Sequence, residues 1–287
     1  MIRATAYAKI NFGLRVRALR EDGFHPLSGI FQSIDLRDEL ALESHAIDEI
    51  RAPGGEQVPD GRDNLAFRAV AAVRRRAEGS QPFRLTLAKK IPVAAGLGGG
   101  SADAAAGLAL AGRVFGVGDR VLAELAPSLG SDVPFCFRGG TARVGGRGEE
   151  IDPLPALTGF ALGVVVPPFE LSTPGVFRRW DELEQPRGLR IDAGALPPQL
   201  RSEEYLSNDL YPAAVSLVPA IDEWRQELEN VWSRPVMLSG SGPALYGFFL
   251  DVGEAEDAIS AIPPGARFAE ACGLTARGWA IAEDEPA

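Results

Sequence analysis

Cysteine is almost missing from this sequence, which contains only Cys136 and Cys272 among its 287 residues. Two cysteines are too few for a disulfide framework or a zinc cluster, and both lie among apolar residues, so we expect buried, reduced thiols. No apolar run approaches the roughly 20 residues that span a bilayer. The first residues, MIRATAYAKINFG, also lack the uninterrupted apolar core of a secretory signal. These absences predict a cytoplasmic protein that does not enter a membrane.

Positive charge is also in short supply. Lys and Arg together number 29 against 39 Asp and Glu, which gives a net charge of −10 and a pI near 4.9. An acidic surface repels phosphate backbones, so the composition predicts no nucleic-acid partner. A small phosphorylated ligand is not excluded, because amides and lysines can reverse the field within one cleft. The dense basic run at residues 74–76 is interpreted as the solvated end of a helix.

The sequence has the composition of a folded globular protein. Hydrophobic residues make up 46% and the mean hydropathy is near zero, which allows a sizeable core. The length predicts two packed units, and the proline-rich stretch at residues 152–155 is the best boundary between them. We therefore predict an N-terminal unit of residues 1–153 and a C-terminal unit of residues 154–287. Oligomeric state is not predicted.

Hydrophobic periodicity and turn residues predict a mixed α/β chain. Predicted strands cover residues 2–12, 30–36, 39–43, 83–88, 134–137, 141–144, 160–166, 236–238, 245–250 and 274–281. Predicted helices cover residues 63–77, with Asp63 as N-cap, 101–115, beginning at Ser101, and 119–128, 174–182, 209–217, 220–231 and 254–261. Residues 183–204 are predicted to be a surface loop, and the tail at residues 283–287 is predicted to fray.

Residues 96–102, Gly-Leu-Gly-Gly-Gly-Ser-Ala, lie between a predicted strand and a predicted helix. Glycines permit positive φ and a close approach of ligand to backbone, and a helix N-terminus offers unpaired N–H groups to an anion. The P-loop pattern does not fit, since no lysine follows the glycines. The dinucleotide fingerprint does not fit either, since its glycine spacing differs. The segment therefore predicts a phosphate-binding loop of another kind.

Three separated segments resemble the motifs of the GHMP kinases. They are residues 91–102, Ile-Pro-Val-Ala-Ala-Gly-Leu-Gly-Gly-Gly-Ser-Ala, residues 8–14, Ala-Lys-Ile-Asn-Phe-Gly-Leu, and residues 237–246, Met-Leu-Ser-Gly-Ser-Gly-Pro-Ala-Leu-Tyr. Their order and separation agree with that family over nearly the whole chain. The resemblance implies a two-domain α/β (α+β) fold, with the glycine loop in the N-terminal unit and a ferredoxin-like C-terminal unit. It also implies direct phosphoryl transfer from ATP, carried with Mg²⁺, to an alcohol of a small metabolite.

Three further segments resemble one branch of that family, whose substrate is a methylerythritol linked to cytidine diphosphate. They are residues 20–27, 129–135 and 206–210. One departure is visible: Phe24 stands where that branch usually has tyrosine, so a ring for stacking is kept and a hydroxyl group is absent.

The resemblance also implies the roles of particular residues. Asp132 is the candidate acceptor of the substrate's hydroxyl proton, and Lys9 is the candidate cation beside the transferring group. Phe24 and Phe177 are expected to sandwich the cytosine ring and His25 to hydrogen-bond its edge. The remaining substrate-binding candidates are Asn11, Thr173, Gly240 and Ser241. The ATP-binding candidates are Asn64 and Lys89 near adenine, together with Pro92, Val93, Ala94, Ala95, Gly96, Leu97, Gly98, Gly99, Gly100, Ser101 and Ala102.

Two alternatives stay open. Another small-molecule kinase of the family, acting on homoserine, mevalonate or a sugar, would not need a pocket for cytosine. A non-catalytic nucleotide-binding regulator on the same fold is expected to lack the aspartate or the lysine, yet Asp132 and Lys9 are both present. No dedicated His/Cys metal cluster is expected.

Overall fold

The computed structural model describes residues 1–21, 23–54, 58–59, 61–79, 81–189, 191–201 and 206–282. The strands are β1 (Ile2–Val16), β2 (Leu27–Ser44), β3 (Glu49–Arg51), β4 (Phe83–Ala88), β5 (Thr141–Gly145), β6 (Glu150–Pro153), β7 (Ala161–Val166), β8 (Val236–Leu238), β9 (Leu245–Phe249), β10 (Phe268–Cys272) and β11 (Trp279–Ala282). The α-helices are α1 (Leu65–Arg76), α2 (Gly99–Phe115), α3 (Asp119–Leu125), α4 (Val133–Arg138), α5 (Thr173–Glu182), α6 (Tyr211–Leu217), α7 (Ala220–Trp232) and α8 (Val252–Ser260). The predicted fraying at residues 283–287 lies outside the described residues, as do Asp22 of the motif segment at residues 20–27 and residues 202–204 of the predicted surface loop.

The first sheet is built around the long strand β2. Within the described residues this sheet has seven strands, in the order β11-β1-β2-β4-β3, with β5 pairing β2 and β6 pairing β5. One edge of β2 is shared: its first half pairs with β5 and its second half with β4. The sequence predicted two strands in this region, and the structure has one, because residues 37–38 continue the pairing with β1. The register of β1 and β2 shifts on either side of Lys9 and Asn11, which marks irregularities in the middle of the strand.

The second sheet has the ferredoxin-like arrangement that the resemblance implied. Among the described residues it has four strands in the order β10-β7-β9-β8, all antiparallel. Numbered along the chain from β7, this is the order 4-1-3-2 of a β-α-β-β-α-β unit. The predicted boundary at residue 153 falls between β6 of the first sheet and β7 of the second. It stays a prediction, since β11 returns from the end of the chain to pair with β1.

Helix α2 runs through the core and begins at the glycine loop. Its residues from Ala102 to Gly112 are all buried, which is typical of a central helix rich in small residues. Gly107 allows close packing on α1, because a Cβ there would lie 3.1 Å from the Ala66 carbonyl oxygen. The N-cap is Gly98, in the left-handed conformation, so the predicted start of this helix at Ser101 was two residues late.

Other local predictions were corrected by the structure. Asn64, and not Asp63, is the N-cap of α1, since its side chain accepts hydrogen bonds from two amides of the first turn. Residues 134–137 form part of helix α4, not a strand, because Pro134 suits the first turn of a helix. Strand β10 was missed and β11 is shorter than predicted. Residues 183–201 contain two short 3₁₀ turns, at Ala193–Ala195 and Pro198–Leu200. No helix in the described ranges is long and apolar enough to cross a membrane.

Candidate active site

One large cleft, with a volume of about 910 Å³, lies between the glycine loop, the start of α4, the start of α5 and the loop after β8. The structure brings together in it every site residue named from the sequence except Ala102, which is buried in α2 behind the loop. The predicted residues that line it are Lys9, Asn11, Phe24, His25, Asn64, Lys89, Pro92, Val93, Ala94, Ala95, Gly96, Leu97, Gly98, Gly99, Gly100, Ser101, Asp132, Thr173, Phe177, Gly240 and Ser241.

The carbonyl groups in and just before the glycine loop are bonded to strand β1 and to the loop between β8 and β9. The Ala95 carbonyl accepts the Ala244 amide at 2.9 Å, and the Leu97 carbonyl accepts the Lys9 amide at 2.9 Å. The Gly96 carbonyl accepts both the Lys9 ammonium and the Ser239 hydroxyl, each at 3.0 Å. These bonds engage the carbonyl groups with the protein, and the first turn of α2 can present its amides to the cleft. No side chain caps this helix, so its N-terminus is suited to an anion.

Two glycines in the loop are required by both conformation and space. Gly96 has a φ of +81°, and a Cβ on it would lie 2.2 Å from the Ser239 carbonyl oxygen. Gly98 has a φ of +70°, and a Cβ on it would lie 2.8 Å from Cγ of Lys9. Any larger residue at Gly98 would therefore displace the lysine. The loop and Lys9 are a single packed unit.

Lys9 connects the loop to the predicted catalytic aspartate. Its ammonium lies 3.3 Å from the Asp132 carboxylate and 2.7 Å from Oδ1 of Asn11. Lys9 and Asn11 are two residues apart on β1, so their side chains share one face of the strand. The Lys9 side chain is 5% exposed, whereas that of Asp132 is 27% exposed. The lysine is thus fixed within the protein, and the carboxylate is open to a ligand in the cleft.

The loop after β8 is fixed by Asn208, to which the sequence analysis gave no role. The Asn208 amide donates to the carbonyl oxygens of Leu238, at 2.9 Å, and Gly240, at 2.6 Å. Its own oxygen accepts the Leu210 amide at 3.0 Å. Asn208 is buried, and its hydrogen bonds connect the start of α6 to the loop that carries Ser241. The Asn-Asp pair beside a helix start was the signal that could have found it.

The next residue, Asp209, is also fully buried and was not assigned from the sequence. Its carboxylate accepts hydrogen bonds from the Val16 amide at 3.1 Å and from the side chains of Arg15 and Arg187 at 3.2 and 2.8 Å. It also accepts the Gly188 amide at 3.2 Å. This carboxylate holds the end of β1 against the start of α6 at the rim of the cleft.

Lys89, predicted near adenine, lies in a buried ion cluster. Its ammonium contacts Asp38 and lies 2.8 Å from a carboxylate oxygen of Asp103. Burial raises the pKa of Asp103 to about 8; the Lys89 charge opposes this shift and Asp38 adds to it. Burial alone would lower the pKa of Lys89, but its two carboxylate partners outweigh that and raise it. Lys89 also lines the cleft, and its contact with the nucleotide stays a prediction.

Asn64, the other residue predicted near adenine, has a clear structural role. Its side-chain oxygen accepts the amides of Ala66 and Phe67 at 2.9 and 3.2 Å, and the residue is buried. It therefore caps α1 at one wall of the cleft. Whether it also contacts ATP stays a prediction.

The opposite end of the cleft is lined by aromatic side chains. Phe24 is 42% exposed, and the Arg147 guanidinium lies 3.6 Å from its ring centroid. Across the cleft, the Phe177 ring lies 5.2 Å from the His25 imidazole at an interplanar angle of 33°. Arg147 was missed because its place over Phe24 depends on the turn after β5. It brings positive charge to this end of the cleft, which can attract an anionic group there.

Thr173 joins this end of the cleft to the loop after β8. Its hydroxyl lies 2.8 Å from the Ser241 hydroxyl. Among the described residues, no group of three or more His, Cys, Asp and Glu side chains is arranged to hold a metal ion. Both cysteines are buried, and burial raises the pKa of each thiol well above its usual range.

Comparison with known protein families accounts for most of this architecture. The GHMP kinases N terminal domain matches residues 64–140, and the GHMP kinases C terminal domain matches residues 195–264. A 4-diphosphocytidyl-2-C-methyl-D-erythritol kinase of Corynebacterium efficiens is 39% identical, over 91% of this chain and 89% of that protein. The chain belongs to this branch of the GHMP kinase family.

Further relatives support the assignment to this GHMP kinase branch. A protein of the same name from Moorella thermoacetica is 42% identical, over 86% of this chain and 89% of that protein. A crystal structure of a 4-(cytidine 5′-diphospho)-2C-methyl-D-erythritol kinase matches 94% of this chain and 99% of its own, at 35% identity and a TM-score of 0.77. A homoserine kinase from Cytophaga hutchinsonii has a TM-score of 0.72 at 17% identity, over 98% of this chain and 97% of its own, and shows the shared fold alone.

Proposed function

We propose that this GHMP kinase transfers the γ-phosphoryl group of ATP to the 2-hydroxyl of 4-diphosphocytidyl-2-C-methyl-D-erythritol, which yields the 2-phosphate and ADP. The relatives at 35–42% identity carry the name of that activity. It is a step of the non-mevalonate route to isoprenoid precursors. The buried, reduced cysteines suit the cytoplasm as the site of this reaction.

One observation carries the proposal. Lys9 lies 3.0 Å from the carbonyl of Gly96 in the glycine loop and 3.3 Å from the carboxylate of Asp132. The phosphate-binding segment and the acidic side chain therefore face one space, as direct transfer between two bound substrates requires. A non-catalytic regulator would not need this arrangement.

The reaction then follows from the groups in the cleft. The amides at the first turn of α2 hold the phosphates of ATP, and Asp132 accepts the proton of the attacking hydroxyl as the new P–O bond forms. The Lys9 ammonium stabilises negative charge that develops on the transferred group. Asn11 keeps the ammonium in place, since its side-chain oxygen accepts one of the lysine's hydrogens. No covalent enzyme intermediate is needed.

The oxygen groups in the cleft fit a magnesium ion that arrives with ATP. The Ser101 hydroxyl lines the cleft at the start of α2, and such a hard oxygen donor suits Mg²⁺ that is already bound by phosphates. Ser101 would hold the metal, which would supply neutralisation of phosphate charge.

The aromatic end of the cleft fits the cytidine group. Phe24 and Phe177 offer faces for a pyrimidine ring, and stacking is worth on the order of 1–3 kcal/mol per base in nucleic-acid complexes. Arg147 adds a cation that suits the diphosphate. Homoserine and mevalonate lack a base, so this end of the cleft favours the cytidine substrate over theirs. The proposed partners are small molecules, with no nucleic acid, and the net charge of −10 supports that view.

The test is ADP formation by the purified protein with each candidate acceptor. We expect turnover with 4-diphosphocytidyl-2-C-methyl-D-erythritol and only background with homoserine, mevalonate and galactose. Turnover with homoserine but not with the cytidine compound would overturn the proposal. ATP binding without turnover on any of these acceptors would favour the regulator.

A further inference from the structure

The tautomer of His25 is determined by a carboxylate from helix α5. Nε2 of His25 lies 2.8 Å from a carboxylate oxygen of Asp181. An ionised carboxylate can only accept a hydrogen bond, so Nε2 must carry the hydrogen. In a neutral imidazole, the second nitrogen, Nδ1, then keeps its lone pair. It can accept a hydrogen bond and cannot donate one.

Two aromatic rings also pack against the imidazole of His25, in addition to its hydrogen bond with Asp181. The face of His25 packs on Phe177, and its ring lies 5.7 Å from that of Trp180 at an interplanar angle of 81°. The side chain of His25 is 9% exposed, and that of Asp181 is 33% exposed. Both residues line the cleft. Within the part of the chain that the structure describes, Nδ1 has no hydrogen-bond partner, so a ligand can supply one.

The lone pair on Nδ1 distinguishes between two pyrimidines. Cytosine carries an exocyclic amino group, which is a hydrogen-bond donor, at the position where uracil carries a carbonyl oxygen, which is an acceptor. An acceptor on the protein therefore pairs with cytosine and faces the uracil oxygen with no hydrogen between them. Two acceptors that face each other without a hydrogen between them, inside a site, lower the affinity for the wrong ligand.

We propose that Asp181 is a positioning residue that sets the base specificity of the cleft, by holding His25 as the Nε2–H tautomer so that Nδ1 accepts a hydrogen bond from the amino group of cytosine. This inference rests on the proposed function, since it takes a cytidine substrate at the aromatic end of the cleft. It assigns the choice of cytosine over uracil to a side chain that does not itself contact the base.

The tautomer can be observed directly by nitrogen NMR of ¹⁵N-histidine-labelled protein without an affinity tag. The chain has only two histidines, and the variant His45→Gln identifies the signals of His25. We expect the wild-type protein near neutral pH to show a protonated Nε2 and an unprotonated Nδ1. In Asp181→Asn the amide can donate or accept, so the Nδ1–H tautomer should become populated.

Base selection is measured on the same variants with the cytidine substrate and its uridine analogue. We expect the ratio of kcat/KM for the two substrates to fall roughly 10- to 100-fold in Asp181→Asn, the size of one well-placed base contact. The change should lie in KM, with kcat for the cytidine substrate nearly constant. The matched control is Glu182→Gln, which removes a neighbouring charge from α5 and should leave both the tautomer and the ratio unchanged.

The outcomes separate the two proposals. If the wild-type protein fails to phosphorylate the cytidine substrate, the proposed function is wrong, and the NMR spectrum still reports whether Asp181 sets the tautomer. If it does phosphorylate that substrate, the inference is overturned by a wild-type His25 that is protonated on both nitrogens or on Nδ1. It is also overturned if Asp181→Asn, folded by its thermal unfolding, keeps the wild-type preference for cytosine. Asp181→Ala is the second variant should the asparagine side chain preserve the bond.

Discussion

The two ends of the cleft are built in different ways. At the end proposed to bind the phosphates of ATP, here called the phosphate end, main-chain bonds hold the glycine loop to β1 and to the loop between β8 and β9, and Lys9 is buried against it. At the end proposed to bind the cytosine base, here called the base end, side chains from separate elements pack on one another, and Phe24 is 42% exposed. The phosphate end therefore depends on backbone conformation and tolerates little change, whereas the base end depends on surfaces that can be altered one at a time. Changes at the phosphate end should reduce kcat, and changes at the base end should raise KM.

The largest effect is expected for Asp132→Asn, which removes the proton acceptor. We expect kcat to fall by about 10²- to 10⁴-fold, the usual contribution of a positioned base, with ATP affinity nearly unchanged. Steady-state kinetics and ATP titration measure the two quantities. The control is Asp257→Asn on the exposed face of α8. A variant with wild-type turnover would show that Asp132 is not the base.

A somewhat smaller effect is expected for Gly98→Ala. The added Cβ would meet Cγ of Lys9 at 2.8 Å, so the lysine must shift, and displacement of a catalytic group by about 1 Å can cost on the order of 10²-fold in rate. Gly118→Ala is the matched control, because nothing lies within 4 Å of its added Cβ. Equal kcat values for the two variants would mean that Lys9 does not depend on the loop.

Phe24 tests the base end of the comparison. Phe24→Ala should raise KM for the cytidine substrate roughly 5- to 100-fold through lost stacking, with kcat little changed. The control is Ile47→Ala, a change at another exposed apolar residue, which should leave both KM and kcat at their wild-type values. Phe24→Tyr restores the hydroxyl usual in this branch of the family and should keep KM at or below the wild-type value. A fall in kcat as large as that of Gly98→Ala would remove the distinction between the two ends.

The smallest effect on turnover is expected for Asp103→Asn, which keeps a neutral partner for Lys89. The carboxyl of Asp103 has a pKa of about 8 in the folded chain against 3.8 as the ordinary value. The native state thus holds a proton that the unfolded state has lost, so the wild-type free energy of unfolding should fall between these pH values. The Asp103→Asn side chain does not titrate, so the variant should not show this fall in the free energy of unfolding. Urea unfolding at about pH 5 and pH 8 should therefore show the stability of the variant, relative to that of the wild type, rising with pH. A constant difference between the two proteins would contradict the raised pKa.

The phosphate end was largely predictable from the sequence, and the base end was not. The glycines within residues 96–100 indicate the backbone conformation of the loop, since positive φ and a close approach of other atoms leave few other residues possible there. The bond between His25 and Asp181 joins residues 156 positions apart, and no local pattern carries such a contact. Phe24 and His25 could be placed only through the family resemblance.

The fold was predictable in outline where a local pattern of residues marks an element. Strand β4 was predicted with its observed bounds, because Phe83–Ala88 alternates clearly between buried and outer positions. Residues 134–137 of α4 were predicted to be a strand, since the aromatic residues of Pro-Phe-Cys-Phe are compatible with a strand and the choice of a helix depends on tertiary packing. The ion cluster around Lys89 was also hidden, because Asp38 lies 51 residues away along the chain. Contacts between distant segments are what the sequence alone does not contain.

The central claim is that the phosphate-binding loop and Asp132 act on one pair of substrates held between them. A crystal structure with the cytidine substrate and a non-hydrolysable ATP analogue tests it most directly. We predict the nucleotide phosphates at the amides that begin α2, with the acceptor hydroxyl in hydrogen-bonding contact with the Asp132 carboxylate and facing the γ-phosphate. An acceptor hydroxyl held away from Asp132, or phosphates bound elsewhere, would contradict the account.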